Sequence, residues 1–164
     1  MPRMKFDPQA LFDAVDTQRR ERGMTWSELS TEVGVSASTI KSMTKRQWGI
    51  ELDGVTAMAR WVARTVESFA GGDGGPAPAP ASYAKTRHFL RFDTAALYAA
   101  VDAERDRRGL SWDQVATEVW PSGPWGSKQL EGLARGGRAD VYSAVAICEW
   151  LGRTIQSFQH ETLR

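Results

Sequence analysis

The chain has 164 residues, of which 41% are hydrophobic and 25% charged, the composition of an ordinary globular protein rather than of a collagen or a disordered chain. Its 21 basic and 20 acidic residues leave a net charge of +1, so affinity for nucleic acid would have to come from local clusters of charge. The sequence has no run of about eighteen apolar residues and no apolar N-terminal stretch, which predicts a cytoplasmic protein without a membrane partner.

The first predicted helix spans residues 8–22. Asp7 and Pro8 are residue types that favour the cap and the first turn of a helix. Apolar residues then recur at helical spacing from Leu11 until Gly23, a residue type that often ends a helix.

Two shorter helices are predicted next. Thr25 and Glu28 have the spacing of a capping box, and the helix that they begin ends at Gly34. Ser36 can cap a third helix that buries Ile40. Two helices joined by so short a turn have the spacing of a helix-turn-helix, whose second helix can enter the major groove of DNA.

A fourth helix completes this part of the chain. Asp53 is its predicted cap, and Met58 and Trp61 lie on its apolar face. Thr65 then begins a final turn that ends at Phe69. The pattern therefore predicts five short helices and no strands.

The second half of the chain repeats the first. The 28 residues that begin at Phe6 and the 28 that begin at Phe92 are identical at 14 positions. WVARTVESF from Trp61 also matches WLGRTIQSF from Trp150. Both halves are therefore expected to adopt the same fold.

A segment rich in Gly, Pro and Ala separates the two copies and predicts a flexible linker at residues 71–83. We therefore predict one domain at residues 1–70 and a second at 84–164. The predicted fold class is all-α, with two five-helix helix-turn-helix domains joined by this linker.

The second repeat keeps the helix signals but changes the turn. Asp93 is again a cap, and Ser111 with Gln114 again forms a capping box. Inserted residues lengthen the turn to WPSGPWG at residues 120–126. The third helix of this repeat, predicted at 127–134, is therefore expected to be displaced or tilted.

The order of these signals resembles the Cro and lambda-repressor family of helix-turn-helix proteins. The resemblance is carried by ELS at residues 28–30, VGVS at 33–36 and TI at 39–40, within the second and third of five helices. In that family a small residue at the position of Ser30 lets the two helices pack closely, and a glycine such as Gly34 makes the turn. The resemblance implies that the first repeat binds DNA.

The resemblance also assigns roles within the third helix. Ser36, at the N-cap, is the implied phosphate contact. Lys41, Lys45 and Arg46 give a local charge of +3, suited to phosphates, in a segment without acidic residues from Gly34 to Ile50. A solvated basic face is the alternative. The residues implied to face the groove are Ala37, Ser38, Lys41 and Ser42.

Trp26 stands at the start of the second helix, where many family members place a phosphate-binding side chain, and Trp112 stands at the same place in the second repeat. An indole N–H can donate to a phosphate at a helix N-terminus. The alternative is that Trp26 covers the first helix.

Contacts from the second repeat are predicted at the exposed positions of its third helix, Ser127, Lys128 and Arg135. Glu131 on the same helix suits phosphates badly, so protein interaction or a structural role remains an alternative for this repeat. Arg87, in the basic stretch before the repeat, is predicted to act as an arm along the minor groove or the backbone.

Nothing in the sequence favours catalysis. Cys148 aligns with a small inward position, and His88 and His160 have no partners at metal-ligand spacing. Asp13 and Asp16 share a helical face without a nucleophile or a histidine. The protein is therefore predicted not to be an enzyme and to need no metal or cofactor.

The sequence thus favours a repressor that binds double-stranded DNA, similar to an actinobacterial phage immunity repressor, in the cytoplasm of a bacterial host. Because its two third helices differ in exposed side chains and in turn length, it is expected to bind an asymmetric site as a monomer, with both domains. The alternative is a protein-interaction module, such as an antitoxin or an adaptor, with only the first repeat on DNA.

Overall fold

The computed structural model describes residues 4–46, 49–72, 88–123 and 125–163. Arg87 and most of the segment predicted as a linker lie outside the described residues. The described chain is mostly helical, as the sequence predicts, with one small sheet.

The helices of the first repeat lie close to their predicted positions. Thr25 and Glu28 form both hydrogen bonds of the capping box, and Ser36 caps the third helix by accepting from Thr39 N at 3.2 Å. A 3₁₀ turn at Met43–Lys45 follows the third helix, and another closes the repeat at Glu67–Phe69. The four α-helices are α1 (Pro8–Glu21), α2 (Trp26–Val33), α3 (Ala37–Ser42) and α4 (Leu52–Trp61).

The cap of α4 differs from the prediction. Glu51, not Asp53, caps the helix, and its carboxylate accepts from the backbone N–H groups of Asp53 at 3.1 Å and Gly54 at 3.2 Å. Glu51 is held in extended backbone by a β-bridge to the second repeat, so the helix begins at Leu52. Asp53 instead lies in the first turn and binds the second repeat.

The second repeat repeats this order and adds a sheet. Its α-helices are α5 (Thr94–Arg108), α6 (Trp112–Val119), α7 (Ser127–Gly132) and α8 (Val141–Leu151), with 3₁₀ turns at Leu133–Arg135 and Ile155–Phe158. Strands β1 (His88–Phe92) and β2 (Gln159–Leu163) form an antiparallel pair.

The sheet corrects the prediction that the chain has no strands. The first repeat already contains the start of the same pairing, because Asp7 N donates to Phe69 O at 2.8 Å, as Asp93 N donates to Phe158 O at 2.8 Å. Within the described ranges, the pairing reaches five residues per strand only in the second repeat. The strand sequences HFLRF and QHETL do not alternate between apolar and polar residues, so the sequence gives no strand signal there.

The duplication extends to a cluster of one glutamate, one tryptophan and one arginine. In the first repeat, Glu32 accepts from the indole Nε1 of Trp61 at 2.8 Å and pairs with Arg22 at 3.1 Å. The guanidinium of Arg22 also lies over the Trp61 ring. The cluster joins the first, second and fourth helices of the repeat. The same three groups in the second repeat are Glu118, Trp150 and Arg108.

The two repeats meet at an antiparallel β-bridge between Glu51 and Asp140. These residues occupy equivalent positions, since each caps the fourth helix of its repeat. Antiparallel pairing of equivalent residues is what a two-fold axis generates, so the repeats are related by a local pseudo-two-fold axis at this bridge. The hydrogen bonds on either side are Leu52 N to Ala139 O and Val141 N to Ile50 O, both 2.8 Å.

Contacts on both sides of the axis join the repeats further. The rings of Phe6 and Tyr142 pack edge to face, and Gln159 donates to the hydroxyl of Thr56 at 2.9 Å. The buried apolar residues of both repeats form one continuous core. The segments predicted as separate domains are therefore packed against each other.

Glu67 offers a test of this interface. It is 3% exposed and accepts from Ile155 N of the second repeat at 2.6 Å. We expect Glu67→Ala to lower the free energy of unfolding by about 1–3 kcal/mol, because a buried N–H loses its acceptor. Glu67→Gln keeps a carbonyl oxygen and should cost less. Urea unfolding of both variants measures the difference, and equal losses would contradict a role for the hydrogen bond.

Candidate nucleic-acid interface

Helices α2 and α3 are joined by a short turn at residues 34–36. Gly34 ends α2 with a φ of +76°, and its N–H donates to Ser30 O at 2.9 Å. A left-handed residue with no side-chain penalty lets the chain reverse in a short turn, which is the reason for a glycine here. Ile40 is completely buried and anchors α3 against the repeat.

The structure exposes most of the residues predicted to bind DNA in the first repeat. Ala37 and Ser42 are half-buried, and the Ser42 hydroxyl donates to Thr39 O at 3.1 Å, within its own helix. Ala37 and Ser42 therefore offer less to a partner than the exposed positions do. The exposed members are Ser36, Ser38, Lys41, Lys45 and Arg46.

Three hydroxyl groups gather at the N-terminal end of α3. Ser36 Oγ lies 2.7 Å from Thr39 Oγ1 and 3.2 Å from Ser38 Oγ. Thr39 is exposed and was not among the residues predicted to contact DNA. Its position three residues after the N-cap, where a hydroxyl can reach back to the cap, is the sequence signal for it.

The basic side chains of this surface are available to an anion. Lys41, Lys45 and Arg46 are exposed, and none of them forms an ion pair with a carboxylate in the described part of the chain. The Lys41 ammonium lies 4.9 Å from the centre of the Trp26 ring. A cation over an aromatic face keeps its charge, so this contact positions Lys41 without neutralising it.

Trp26 packs against the first helix, which is one of the two roles that the sequence leaves open for it. Its ring stacks on Phe12 at 5.8 Å, and the Arg19 guanidinium lies 4.3 Å from the ring centre. Among the described residues, no hydrogen bond involves its indole N–H. Donation to a phosphate therefore stays a prediction beside the packing role.

The second repeat presents a different surface. Trp112 stacks on Tyr98 with ring centres 5.2 Å apart, as Trp26 stacks on Phe12 in the first repeat. The exposed Glu131 replaces Lys41 at the aligned position of the third helix. The predicted contacts Lys128 and Arg135 are exposed, and Ser127 is half-buried.

The N-terminus of α7 also differs from that of α3. Its cap is Gly126, which has no side-chain hydroxyl and whose N–H donates to Gln129 Oε1 at 2.9 Å. In the lengthened turn before it, Trp120 is buried and packs on Trp125 at 5.6 Å. The turn is therefore packed onto its own repeat by aromatic side chains.

The described residues contain no group of three or more His, Cys, Asp or Glu placed to hold a metal. Burial raises the pKa of the Cys148 thiol to about 12, so it stays protonated and unreactive at neutral pH. No helix in the described ranges is long and apolar enough to cross a membrane.

Two positions on α3 separate its scaffold from its surface. Ile40→Ala is expected to cost about 2–5 kcal/mol of unfolding free energy, because it truncates a completely buried side chain. Ser38→Ala should leave stability nearly unchanged but alter which DNA sequences are bound, because Ser38 is exposed. Thermal unfolding and selection of bound sequences measure the two effects. A Ser38→Ala variant with unchanged sequence preference would mean that Ser38 does not contact bases.

Comparison with protein-family models, with curated proteins and with solved structures found no match to this chain.

Proposed function

We propose that the protein binds double-stranded DNA through both repeats and represses transcription by occupying the site. One observation carries the proposal: α3 and the residues directly after it expose Lys41, Lys45 and Arg46, and hydroxyl groups gather at the start of α3. Basic side chains neutralise phosphates, and hydroxyls contact either phosphates or base edges. The similarity to phage immunity repressors remains an expectation within this proposal.

The pseudo-two-fold axis supports a particular kind of site. A two-fold relation turns the two helix-turn-helix units in opposite directions, so their half-sites on DNA are inverted with respect to each other. The half-sites differ in sequence, since Glu131 on α7 takes the aligned position of Lys41 on α3. One chain carries both units, so the complex contains one protein molecule per site.

Selection of bound duplexes from a random pool tests the proposal. We expect an enriched site with two unlike, inverted halves, and light scattering of the complex should give one chain per site. Affinity for random duplex should fall steeply as the salt concentration rises, as phosphate contacts require. Failure to enrich any sequence, together with no binding to random duplex at low salt, would contradict DNA binding.

A protein-interaction role for the second repeat is the competing function. It is favoured by the exposed Glu131 on α7 and by the lengthened turn, whose Trp125 is half-buried. In that case the enriched DNA would contain one half-site only. Removal of the charges of Lys128 and Arg135 would then leave DNA affinity unchanged.

A further inference from the structure

A groove of about 400 Å³ runs between the helix-turn-helix of the first repeat and the second repeat. One wall is formed by Val35 in the turn and by Met43 after α3, and the start of α4 contributes Gly54. The second repeat closes the groove with Leu90 and Arg138. The groove therefore exists only because the two repeats are packed together.

The groove lies beside a residue that differs between the repeats. Gly34, which lines it, presents no side chain. The residue aligned with Gly34 in the second repeat is Trp120, which is buried and packs on Trp125. The second repeat therefore has a large aromatic side chain at the sequence position where the first repeat has none.

The charged groups around the groove favour an anion. Three guanidinium groups, those of Arg46, Arg91 and Arg138, face two carboxylates, those of Glu51 and Asp53. The Asp53 carboxylate is already engaged, because it accepts from Arg91 at 3.2 Å and from Phe92 N at 2.9 Å.

The second carboxylate is also partly satisfied within the protein. Glu51 accepts the two N–H groups at the start of α4, and its burial, together with the neighbouring Asp53 carboxylate, raises the pKa of Glu51. Arg46 and Arg138 are exposed at the mouth, and Arg46 makes a 3.4 Å contact to Gly49 O. Positive charge therefore remains in excess at the mouth, above apolar walls.

We propose that this groove binds a small organic anion, with its apolar body against Val35, Met43 and Leu90 and its acidic group on Arg46 and Arg138. The volume suits a molecule of two or three fused or linked rings, at the lower end of ordinary ligand pockets. Binding at this site does not depend on the DNA-binding role proposed above.

The test uses 8-anilinonaphthalene-1-sulfonate, an aromatic sulfonate whose fluorescence rises in apolar sites, titrated into the full chain. We expect saturable binding of one molecule per chain. Gly54→Leu should weaken it about tenfold or more, because a Cβ at Gly54 points at Val35 and Glu51 at ordinary contact distances, so a longer side chain enters the groove. Gly132→Leu is the matched control, since a Cβ at Gly132 meets nothing within 4 Å.

A second pair of measurements tests the charge. N-phenyl-1-naphthylamine has the same rings without the sulfonate. Arg138→Gln should weaken the sulfonate about three- to fivefold and leave the neutral probe unchanged, as expected for one partly exposed ion pair. Arg107→Gln, on the surface of α5, should change neither.

The result that would overturn the proposal is a sulfonate that fails to saturate at one site or that binds Gly54→Leu and Gly132→Leu equally. Thermal unfolding verifies that each variant is folded, because the probe also binds partly unfolded chains. If Gly54→Leu does not fold, amide shifts of the wild-type protein decide the matter. The sulfonate must then shift the amides of Val35 and Gly54 more than that of Gly132, and the opposite pattern rejects the site.

Discussion

Replacing Lys41 and Lys45 together by glutamine is expected to weaken binding to duplex DNA about 30-fold at about 0.15 M salt. Both ammonium groups are exposed and have no carboxylate partner among the described residues. Each phosphate contact releases about 0.9 counterion, so the slope of log K against log salt should fall in magnitude by about 2. Fluorescence anisotropy over a salt series measures both quantities.

A charge-matched control distinguishes DNA binding by one particular basic surface from an effect of net charge alone. Arg20 on α1 and Arg107 on α5 have side chains that are 73% and 69% exposed. Replacing both by glutamine removes the same charge, but each pairs with a carboxylate of its own helix. We expect an unchanged salt slope for this variant. Equal slopes in the two double variants would mean that no particular basic surface binds the DNA.

The helices and their caps could be predicted because their signals are local. The capping box of Thr25 and Glu28 and the left-handed Gly34 each depend on residues within one turn of chain. The duplicated sequence then carried the same elements to the second repeat. The cap of α4 could not be predicted in this way, because the choice between Glu51 and Asp53 depends on a bridge to Asp140.

The surface of α3 was predictable for a similar reason. Burial of Ile40 fixes which face of the helix is inside, and Lys41 and Ser38 then fall outside. The environment of Trp26 could not be predicted, because a packing role and a DNA-binding role differ only in tertiary contacts such as those with Phe12 and Arg19. Sequence alone leaves such a residue ambiguous between packing and binding.

The relation between the repeats lies beyond sequence patterns altogether. A glycine- and proline-rich segment between two copies is compatible with free domains and with packed ones. The structure packs them through the bridge at Glu51 and Asp140 and through the hydrogen bond from Ile155 to Glu67. The groove at Arg138 follows from the same packing and has no signal in either repeat alone.

The packing of the repeats also predicts how DNA affinity depends on the orientation of the two half-sites. Once a two-part site has been selected, reversing one half-site in place should lower affinity by about 10²–10⁴-fold, to that of a single half-site. The gain from a second linked contact is lost entirely when geometry forbids simultaneous binding. Repeats joined by a shared core cannot turn one unit to follow the reversed half-site.

A duplex in which the second half-site is scrambled gives the reference affinity for this comparison. We expect the reversed and scrambled duplexes to bind equally, each as one chain per DNA in light scattering. If the reversed duplex binds as tightly as the selected one, the repeats turn freely in solution, and the interface at Glu51 and Asp140 does not persist on DNA. If all three duplexes bind alike, the second repeat makes no DNA contact, and its exposed Glu131 and lengthened turn serve another partner. The orientation of two half-sites therefore reports directly on whether the pseudo-two-fold packing of the repeats is the DNA-binding arrangement.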